Sequence, residues 1–183
     1  MPKPSKFISL EVLKLKLPLV SGWIDQTLAI HAAKVRPVSD FGFERLPKYY
    51  SATFLAGAKV IPIERVPMPP LSQFELPEFG EFEKGDYAGV TYKNTYFVQS
   101  SRLMDESLHF HELVHVVQWA QMGVEGFLLA YAAGLAAHGY RNSPLEAMAY
   151  GFQAYFDQNG KPEDMESVIK TKLSELRLNP TRD

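Results

Sequence analysis

The sequence contains no cysteine, so disulfides and thiolate metal ligands are excluded and any metal site must use histidine, aspartate or glutamate. The formal net charge is only −2, which gives no general affinity for nucleic acid. No run approaches the roughly 18 apolar residues of a membrane span, and there is no internal repeat. What remains is a chain of 183 residues with 46% apolar side chains, enough for one domain with a real core.

The first 20 residues carry four lysines among their apolar residues: Lys3, Lys6, Lys14 and Lys16. Because they contain no compact apolar block with a small-residue cleavage site, we find no secretory signal there. This favours a cytoplasmic location, although the composition fixes neither the compartment nor the oligomeric state. We expect a single domain over 1–183, with a mixed α/β part over 1–100 and a helical part over 101–183.

An H-E-x-x-H stretch at 111–115 is the most informative pattern in the chain. On a helix, His111 and His115 lie on one face, about 5–6 Å apart at Cβ, so one metal ion can take a nitrogen from each. Glu112 is placed to reach a water on that metal without being a ligand itself. These are the parts of a zinc hydrolase, and the cofactor expected is Zn²⁺.

The rest of this helix is apolar nearly all round, which is typical of a buried helix. Buried histidines and a buried glutamate need partners, and a metal ion would satisfy them. The alternative is a structural helix whose histidines are hydrogen-bonded. His109, two residues before His111, faces elsewhere and is expected to be a surface or packing histidine.

The hydrophobic pattern predicts strands first and helices later, which is an α+β fold with a small N-terminal sheet. Residues 13–19 alternate leucine with lysine and proline, indicating an edge strand, with an amphipathic membrane-surface helix as the alternative. Helices are expected over 21–35 and 47–55, strands over 59–66 and 87–99 with a turn at Lys93-Asn94, and an irregular segment over 67–86. Further helices are expected over 105–123, between an Asp105 N-cap and a Gly123 C-cap, and over 124–138, ended by Gly139. The last two are expected over 143–156 and 162–176.

A catalytic zinc usually takes three protein ligands, so a third is needed. The H-E-x-x-H-x-x-G-x-x-H arrangement is excluded because Gln118 and Gln121 stand where it needs glycine and histidine. Glu146, in the first turn of a predicted helix 31 residues past His115, is the favoured ligand. Asp105 and Glu125 are the fallbacks.

Glu146 also fits a capping box. Ser143-x-x-Glu146 with Pro144 at the first helical position would bond Glu146 to the Ser143 backbone rather than to a metal. The two interpretations make different structural predictions.

These residues resemble a family. His111-Glu112-x-x-His115 with the later Glu146-x-x-Ala149 is similar to the glutamate-zincin metallopeptidases. The longer strings, His-Glu-Leu-Val-His-Val-Val-Gln at 111–118 and Pro144-Leu145-Glu146, resemble small bacterial zincin-like proteins. The resemblance covers about residues 90–155. It implies a minimal zincin-like domain, His111, His115 and Glu146 as zinc ligands, and Glu112 as the catalytic base.

The expected function is therefore a zinc metallopeptidase acting on a peptide or protein substrate, without a nucleic-acid partner or a membrane span. Tyr140 is the preferred second oxyanion donor, with Tyr131, His138 and Tyr150 as alternatives. An extended substrate could pair with a strand at 87–92. The competing functions are a non-catalytic, zinc-stabilised interaction domain and a metal-free helical protein.

Residues 75–86 carry five acidic side chains and one lysine, interspersed with phenylalanines. The simpler interpretation is a solvated acidic loop, and the sharper one is a flap over a cleft or a docking surface.

Overall fold

The computed structural model describes residues 9–178, so Lys3, Lys6 and both limits of the expected domain lie outside the described residues. Its helices and strands are α1 (Leu10–Ile30), β1 (Arg36–Pro37), α2 (Ala52–Gly57), β2 (Lys59–Ile63), α3 (Gly80–Lys84), β3 (Gly89–Tyr92), β4 (Thr95–Gln99), α4 (Glu106–His138), α5 (Pro144–Asp157) and α6 (Met165–Leu178). A small mixed sheet with six helices confirms the predicted α+β class.

The four strands have the order β1-β2-β4-β3. β2 and β4 are parallel, whereas β1 and β3 are antiparallel to their neighbours and form the two edges. The predicted turn at Lys93-Asn94 joins β3 to β4, and Lys93 has the positive φ (62°) that such a tight turn requires. The edge strand β3 contacts α4, which brings one margin of the sheet beside the H-E-x-x-H stretch.

The strand predicted over 13–19 is wrong, because these residues belong to α1. The buried residues of α1 recur at helical spacing: Leu13, Val20, Ile24 and Thr27. The alternate leucines are divided between two faces, so that Leu15 and Leu19 are exposed. Ser9 caps the helix by accepting a hydrogen bond from the Val12 amide, and Pro18 is tolerated inside it on the exposed side.

Other boundaries differ from the predictions by a few residues. The helix expected over 47–55 is a 3₁₀ turn at Leu46–Lys48 followed by α2. The strand expected over 59–66 ends at Ile63. Residues 67–86, expected to be irregular, include a 3₁₀ turn at Pro77–Phe79 and the short helix α3.

The motif helix begins at the predicted cap, since the Asp105 side chain accepts a hydrogen bond from the Leu108 amide. At Gly123 the backbone leaves the helical region (φ 70°, ψ 173°), and α4 continues beyond the kink to His138, with Gly139 as its C-cap. The positive φ explains why glycine occupies this position. A straight helix would carry Tyr131 about 24 Å along the axis from His115, so the kink is needed to bring the second half of α4 back toward the motif.

α4 is also long and apolar enough, by length and composition alone, to cross a membrane. Its apolar character comes from the buried first half and from the many alanines and glycines of its second half. The expected absence of a membrane span therefore stays a prediction.

Candidate metal centre

The two motif histidines face each other on the first half of α4. His111 and His115 are 4% and 5% exposed, and their Nε2 atoms are 3.2 Å apart. The i, i+4 spacing accounts for this arrangement, because it places both rings on the same helix face. Tyr150 of α5 packs its ring on His111 with 4.6 Å between centroids.

Each imidazole is held through Nδ1 by a glutamine. Oε1 of Gln153 lies 3.1 Å from Nδ1 of the first histidine, and Oε1 of Gln118 lies 2.8 Å from Nδ1 of the second. The glutamine nitrogens donate elsewhere, to Ser107 Oγ and to the Leu145 carbonyl, so the glutamine oxygens accept from the imidazoles. An imidazole that is neutral therefore carries its proton on Nδ1, which leaves the lone pair of its Nε2 free for a metal ion.

Glu146, at the start of α5, completes the cluster. Its Oε2 lies 3.4 Å from Nε2 of His111, and its Oε1 lies 3.4 Å from Nε2 of His115. Tyr131, from the second half of α4, donates a hydrogen bond of 2.5 Å to Oε1. Oε2 is buried and accepts no hydrogen bond from any residue in the described range 9–178.

The capping box is not formed. The Ser143 amide donates to the Tyr140 carbonyl over 3.2 Å, and the Ser143 hydroxyl donates to the same carbonyl over 2.9 Å. Although Ser143 occupies the N-cap position of α5, its side chain makes no capping hydrogen bond within residues 9–178. The Glu146 carboxylate is therefore directed at the histidines and not at its own helix terminus.

The distances between the candidate ligand atoms are close to those around a tetrahedral metal. Zn–N and Zn–O bonds of about 2.0–2.2 Å at tetrahedral angles place neighbouring ligand atoms roughly 3.3 Å apart. The two Nε2 atoms are 3.2 Å apart, and each lies 3.4 Å from a different oxygen of Glu146, His111 from Oε2 and His115 from Oε1. An orphaned buried carboxylate oxygen and two converging lone pairs fit a cation. The structure thus contains a buried His-His-Glu triad that could bind a metal ion.

The two fallback ligands lie outside the triad. Asp105 caps α4 and is bonded to Arg102, and Glu125 is an exposed residue just beyond the kink. His109 is a fully buried packing histidine, held between the Tyr96 hydroxyl and the Leu103 carbonyl. Both of its nitrogens have hydrogen-bond partners outside the triad, whereas the Nε2 atoms of the two motif histidines face each other and Glu146.

Mutual attraction dominates the electrostatics of the triad. Burial alone would lower the pKa of His115, but the neighbouring Glu146 carboxylate outweighs it and raises the pKa of His115 to about 9. Burial likewise would raise the pKa of Glu146, but His115 and His111 hold the pKa of Glu146 well below its usual range. The Glu146 carboxylate and the charged form of His115 therefore stabilise each other.

Glu112 lies on the other side of the cavity, against strand β3. Its Oε2 accepts a hydrogen bond of 2.6 Å from the Thr91 hydroxyl. A Cβ added at Gly89 would lie 2.4 Å from Glu112 Oε1, so the glycine allows the strand to approach the carboxylate. Burial raises the pKa of Glu112, although His111, His115 and Thr91 act in the opposite direction.

Of the four proposed oxyanion donors, Tyr140 lines the same cavity as the triad, and burial raises the pKa of its hydroxyl, which stays protonated. Tyr131 also lines it, but its hydroxyl is bound to Glu146. Tyr150 packs on His111, and His138 is exposed at the end of α4. The role predicted for Tyr140 remains a prediction.

The acidic and aromatic segment 74–87 covers this region. Phe82 packs against Tyr131 and Tyr140 with ring centroids 5.7 and 5.9 Å apart, and Tyr87 packs against Tyr140 at 4.8 Å. We call Phe82, Tyr87 and Tyr140 the aromatic cover. The acidic side chains of the segment are mostly exposed.

Sequence reasoning did not identify the residues that orient the triad. Gln118 follows His115 by three residues on the same helix, so its spacing was a usable signal. Gln153 lies seven residues after Glu146 and shares its face of α5. Thr91 and Gly89 carry no sequence signal, because only the packing of β3 against α4 brings them to Glu112.

Comparison of the chain with protein-family models, curated proteins and solved structures gives no match. The resemblance to the glutamate-zincins therefore stays a prediction based on the residues named above.

Proposed function

We propose that this protein binds one zinc ion through His111, His115 and Glu146 and hydrolyses peptide bonds with Glu112 as general base. The observation that carries the proposal is the triangle of two imidazole nitrogens and a carboxylate, in which Glu146 Oε2 is buried without a hydrogen-bond partner in residues 9–178. Three protein ligands of this type are typical of catalytic zinc.

Zinc in this position would supply a Lewis acid and lower the pKa of a bound water to about 7. Glu112 accepts the proton as water attacks the carbonyl and then delivers it to the leaving amine. Its raised pKa suits this task, because a base that must return a proton works best near the operating pH. Tyr140 donates a hydrogen bond to the developing oxyanion.

The peptide substrate is proposed to lie along β3 as an additional strand. β3 is an edge of the sheet, and all four of its residues pair in register with β4. The Gln99 amide donates to the Ala88 carbonyl, so in the alternating antiparallel pattern the backbone groups of Gly89 and Thr91 point away from β4. The Thr91 carbonyl already accepts from Trp119 Nε1, so a substrate strand would pair with Gly89 and with the Thr91 amide. A strand added there would pass next to Glu112.

A zinc-stabilised interaction domain without catalysis is the second candidate. The burial of all three triad residues favours it, since structural zinc sites are closed. Two observations count against it: the triad offers three ligands where a structural site uses four, and the cavity also holds an acid, Glu112, that a structural site does not need.

Elemental analysis of the purified protein tests the metal. We expect about one zinc per chain, with loss of zinc in His111→Ala. The matched control is His138→Ala, because His138 lies on the same helix but is exposed at its end. No zinc in the wild type, and no uptake when zinc is added, would remove the proposal and favour the metal-free alternative.

A peptide library, incubated with and without a chelator, tests the reaction. The proposal expects cleavage that the chelator abolishes and that added zinc restores. If the zinc-loaded protein cleaves nothing, while zinc removal lowers its melting temperature, the protein is the zinc-stabilised domain.

A further inference from the structure

The triad and Glu112 share a cavity of about 110 Å³ with residues that have no part in the proposed chemistry. This cavity continues between α1, the loop after β2 and the second half of α4. We call this continuation the apolar arm; its walls include Leu13, Val20, Ile24, Leu71, Leu76 and Ala132.

The apolar arm offers a ligand almost nothing but hydrocarbon. Leu13, Val20 and Ile24 of α1 are 5%, 8% and 0% exposed, yet they face the cavity instead of filling it. Lys16 is the charged side chain on this wall, and its ammonium forms an ion pair with Glu75. A charged or strongly polar group entering the arm would lose its hydration without gaining a partner.

The cavity volume sets an upper limit on the occupant. Apolar cavities of about 150 Å³ accept a benzene molecule, and this one, at about 110 Å³, is smaller and includes the space beside the triad. An isobutyl or isopropyl group therefore fits the arm better than an aromatic ring does.

We propose that the apolar arm is a specificity pocket that receives a branched aliphatic side chain of the substrate next to the bond that is cleaved. The proposal rests on the proposed function, because it takes the triad as the zinc site, and it adds the substrate class. Burial of the aliphatic chain supplies the binding free energy. Each buried CH₂ contributes about 0.8 kcal/mol, which corresponds to roughly fourfold in affinity.

The test measures binding to the zinc-loaded protein by calorimetry, so it does not depend on turnover. Three hydroxamates share one zinc-chelating group and differ in their chains: acetohydroxamate, 4-methylpentanohydroxamate and 4-aminobutanohydroxamate. We expect the branched chain to bind about 10- to 100-fold more tightly than acetohydroxamate, and the amine to bind no more tightly. A fourth compound, 3-phenylpropanohydroxamate, should bind less tightly than the branched one.

Two neighbouring alanines of α4 provide a matched pair of variants. Ala132 lines the cavity, whereas Ala133 is exposed. Ala132→Leu should fill the arm and reduce the preference for the branched chain over acetohydroxamate to below about threefold. Ala133→Leu should keep the wild-type preference. If Ala132→Leu does not fold, Leu128→Ala, which enlarges the same cavity, should shift the preference toward the phenyl compound.

The outcomes separate the two proposals. Equal affinity for acetohydroxamate and the branched compound, in a protein that binds zinc, would overturn the pocket and leave the zinc site standing. An unchanged preference in both Ala132→Leu and Leu128→Ala would overturn it as well. A protein that takes up no zinc would overturn the proposed function, and the pocket assignment with it.

Discussion

The cavity has two sides that hold one buried glutamate each, and the two carboxylates respond to their surroundings in opposite directions. On the helix side, between α4 and α5, the pKa of Glu146 is lowered because two imidazoles outweigh the effect of burial. On the strand side, between α4 and β3, the pKa of Glu112 is raised because burial outweighs the imidazoles and the Thr91 hydroxyl. Both residues are almost fully buried, so solvent exposure does not explain the difference.

The comparison shows that the neighbouring groups, and not the degree of burial, set the pKa values of these two glutamates in opposite directions. The helix side keeps its carboxylate ionised next to two imidazole nitrogens, and this set of ligand atoms suits a cation. The strand side favours a carboxylate that takes up a proton. Pairs of groups whose environments separate their pKa values are typical of acid–base sites.

The strand side should dominate catalysis. Glu112→Gln should lower the rate of peptide hydrolysis by about 10²–10⁴-fold, because it removes the base while keeping the size of the side chain. Zinc content, measured by elemental analysis, should stay near that of the wild type. If the variant loses zinc as fully as His111→Ala does, Glu112 is a ligand and the division between the two sides is wrong.

The helix side should dominate metal binding. Glu146→Gln should weaken zinc binding by more than about 100-fold, since partners that merely orient a ligand already cost about 10–100-fold. Competition with a chromophoric chelator measures this, and Glu78→Gln, an exposed glutamate, is the control. Unchanged zinc affinity in Glu146→Gln would mean that the third ligand lies elsewhere.

The orientation of the helix side depends on its glutamines. Gln118→Ala should weaken zinc binding by about 10–100-fold, because the Nδ1 proton of His115 loses its acceptor. Gln121→Ala changes an exposed glutamine three residues further along the same helix and should leave zinc affinity unchanged. Equal effects of the two substitutions would indicate a general loss of helix stability.

Metal binding by the helix side should depend on pH. Zinc must displace a proton from His115, whose pKa in the metal-free protein is about 9, so zinc affinity should rise up to about tenfold per pH unit between roughly pH 6.5 and 9. The stability of the metal-free fold should change with pH in the opposite direction. The raised pKa of His115 contributes stability that is fully present below about pH 6.5 and is lost as the pH rises through about 9. Zinc titrations and thermal melts at several pH values measure both trends.

Glu146→Gln serves as the control for this pH dependence. It removes the carboxylate that raises the pKa of His115, so the decline in metal-free stability toward pH 9 should disappear. A metal-free protein whose stability is flat between pH 6.5 and 9 in both forms would contradict the assignment.

The smallest effect is expected from the positioning of Glu112. Thr91→Val removes the hydroxyl that donates to its carboxylate and should lower the hydrolysis rate about three- to tenfold. The pKa of Glu112 should rise further, which moves the acidic limb of the pH–rate profile to higher pH. Thr95→Val, another buried threonine of the sheet, is the control and should leave the profile in place. A profile that moves equally in both variants would assign Thr91 a purely structural role.

Local sequence signals predicted much of the helical half. The Asp105 cap, the break at Gly123 and the end at Gly139 are each set by the chemistry of one residue and are found where expected. The first half of α1, residues 13–19, was mistaken for a strand because leucines on both of its faces alternate with lysines and a proline. The inner face of the helix is buried against the cavity. Within residues 13–19, the sequence pattern does not show which leucines make this long-range contact, so it does not distinguish a helix from a strand.

The histidines could be placed together from spacing alone, because one helix carries both. Glu146 required a choice between a cap and a ligand that the local sequence left open. Tertiary structure excludes the cap and directs Glu146 at the histidines, since the Ser143 amide takes a different partner and the kink at Gly123 brings Tyr131 to Glu146. Contacts that join β3 to α4, such as Thr91 with Glu112, are invisible to local patterns.

The aromatic cover implies a shared rate limit. Phe82, Tyr87 and Tyr140 line the cavity that holds the buried triad, so the proposed zinc ion and a chelator that enter from their side would have to displace the same rings. Motion of the 74–87 segment would then act as a gate for both. We expect the rate of zinc removal to level off as the chelator concentration rises, at the opening frequency of that segment.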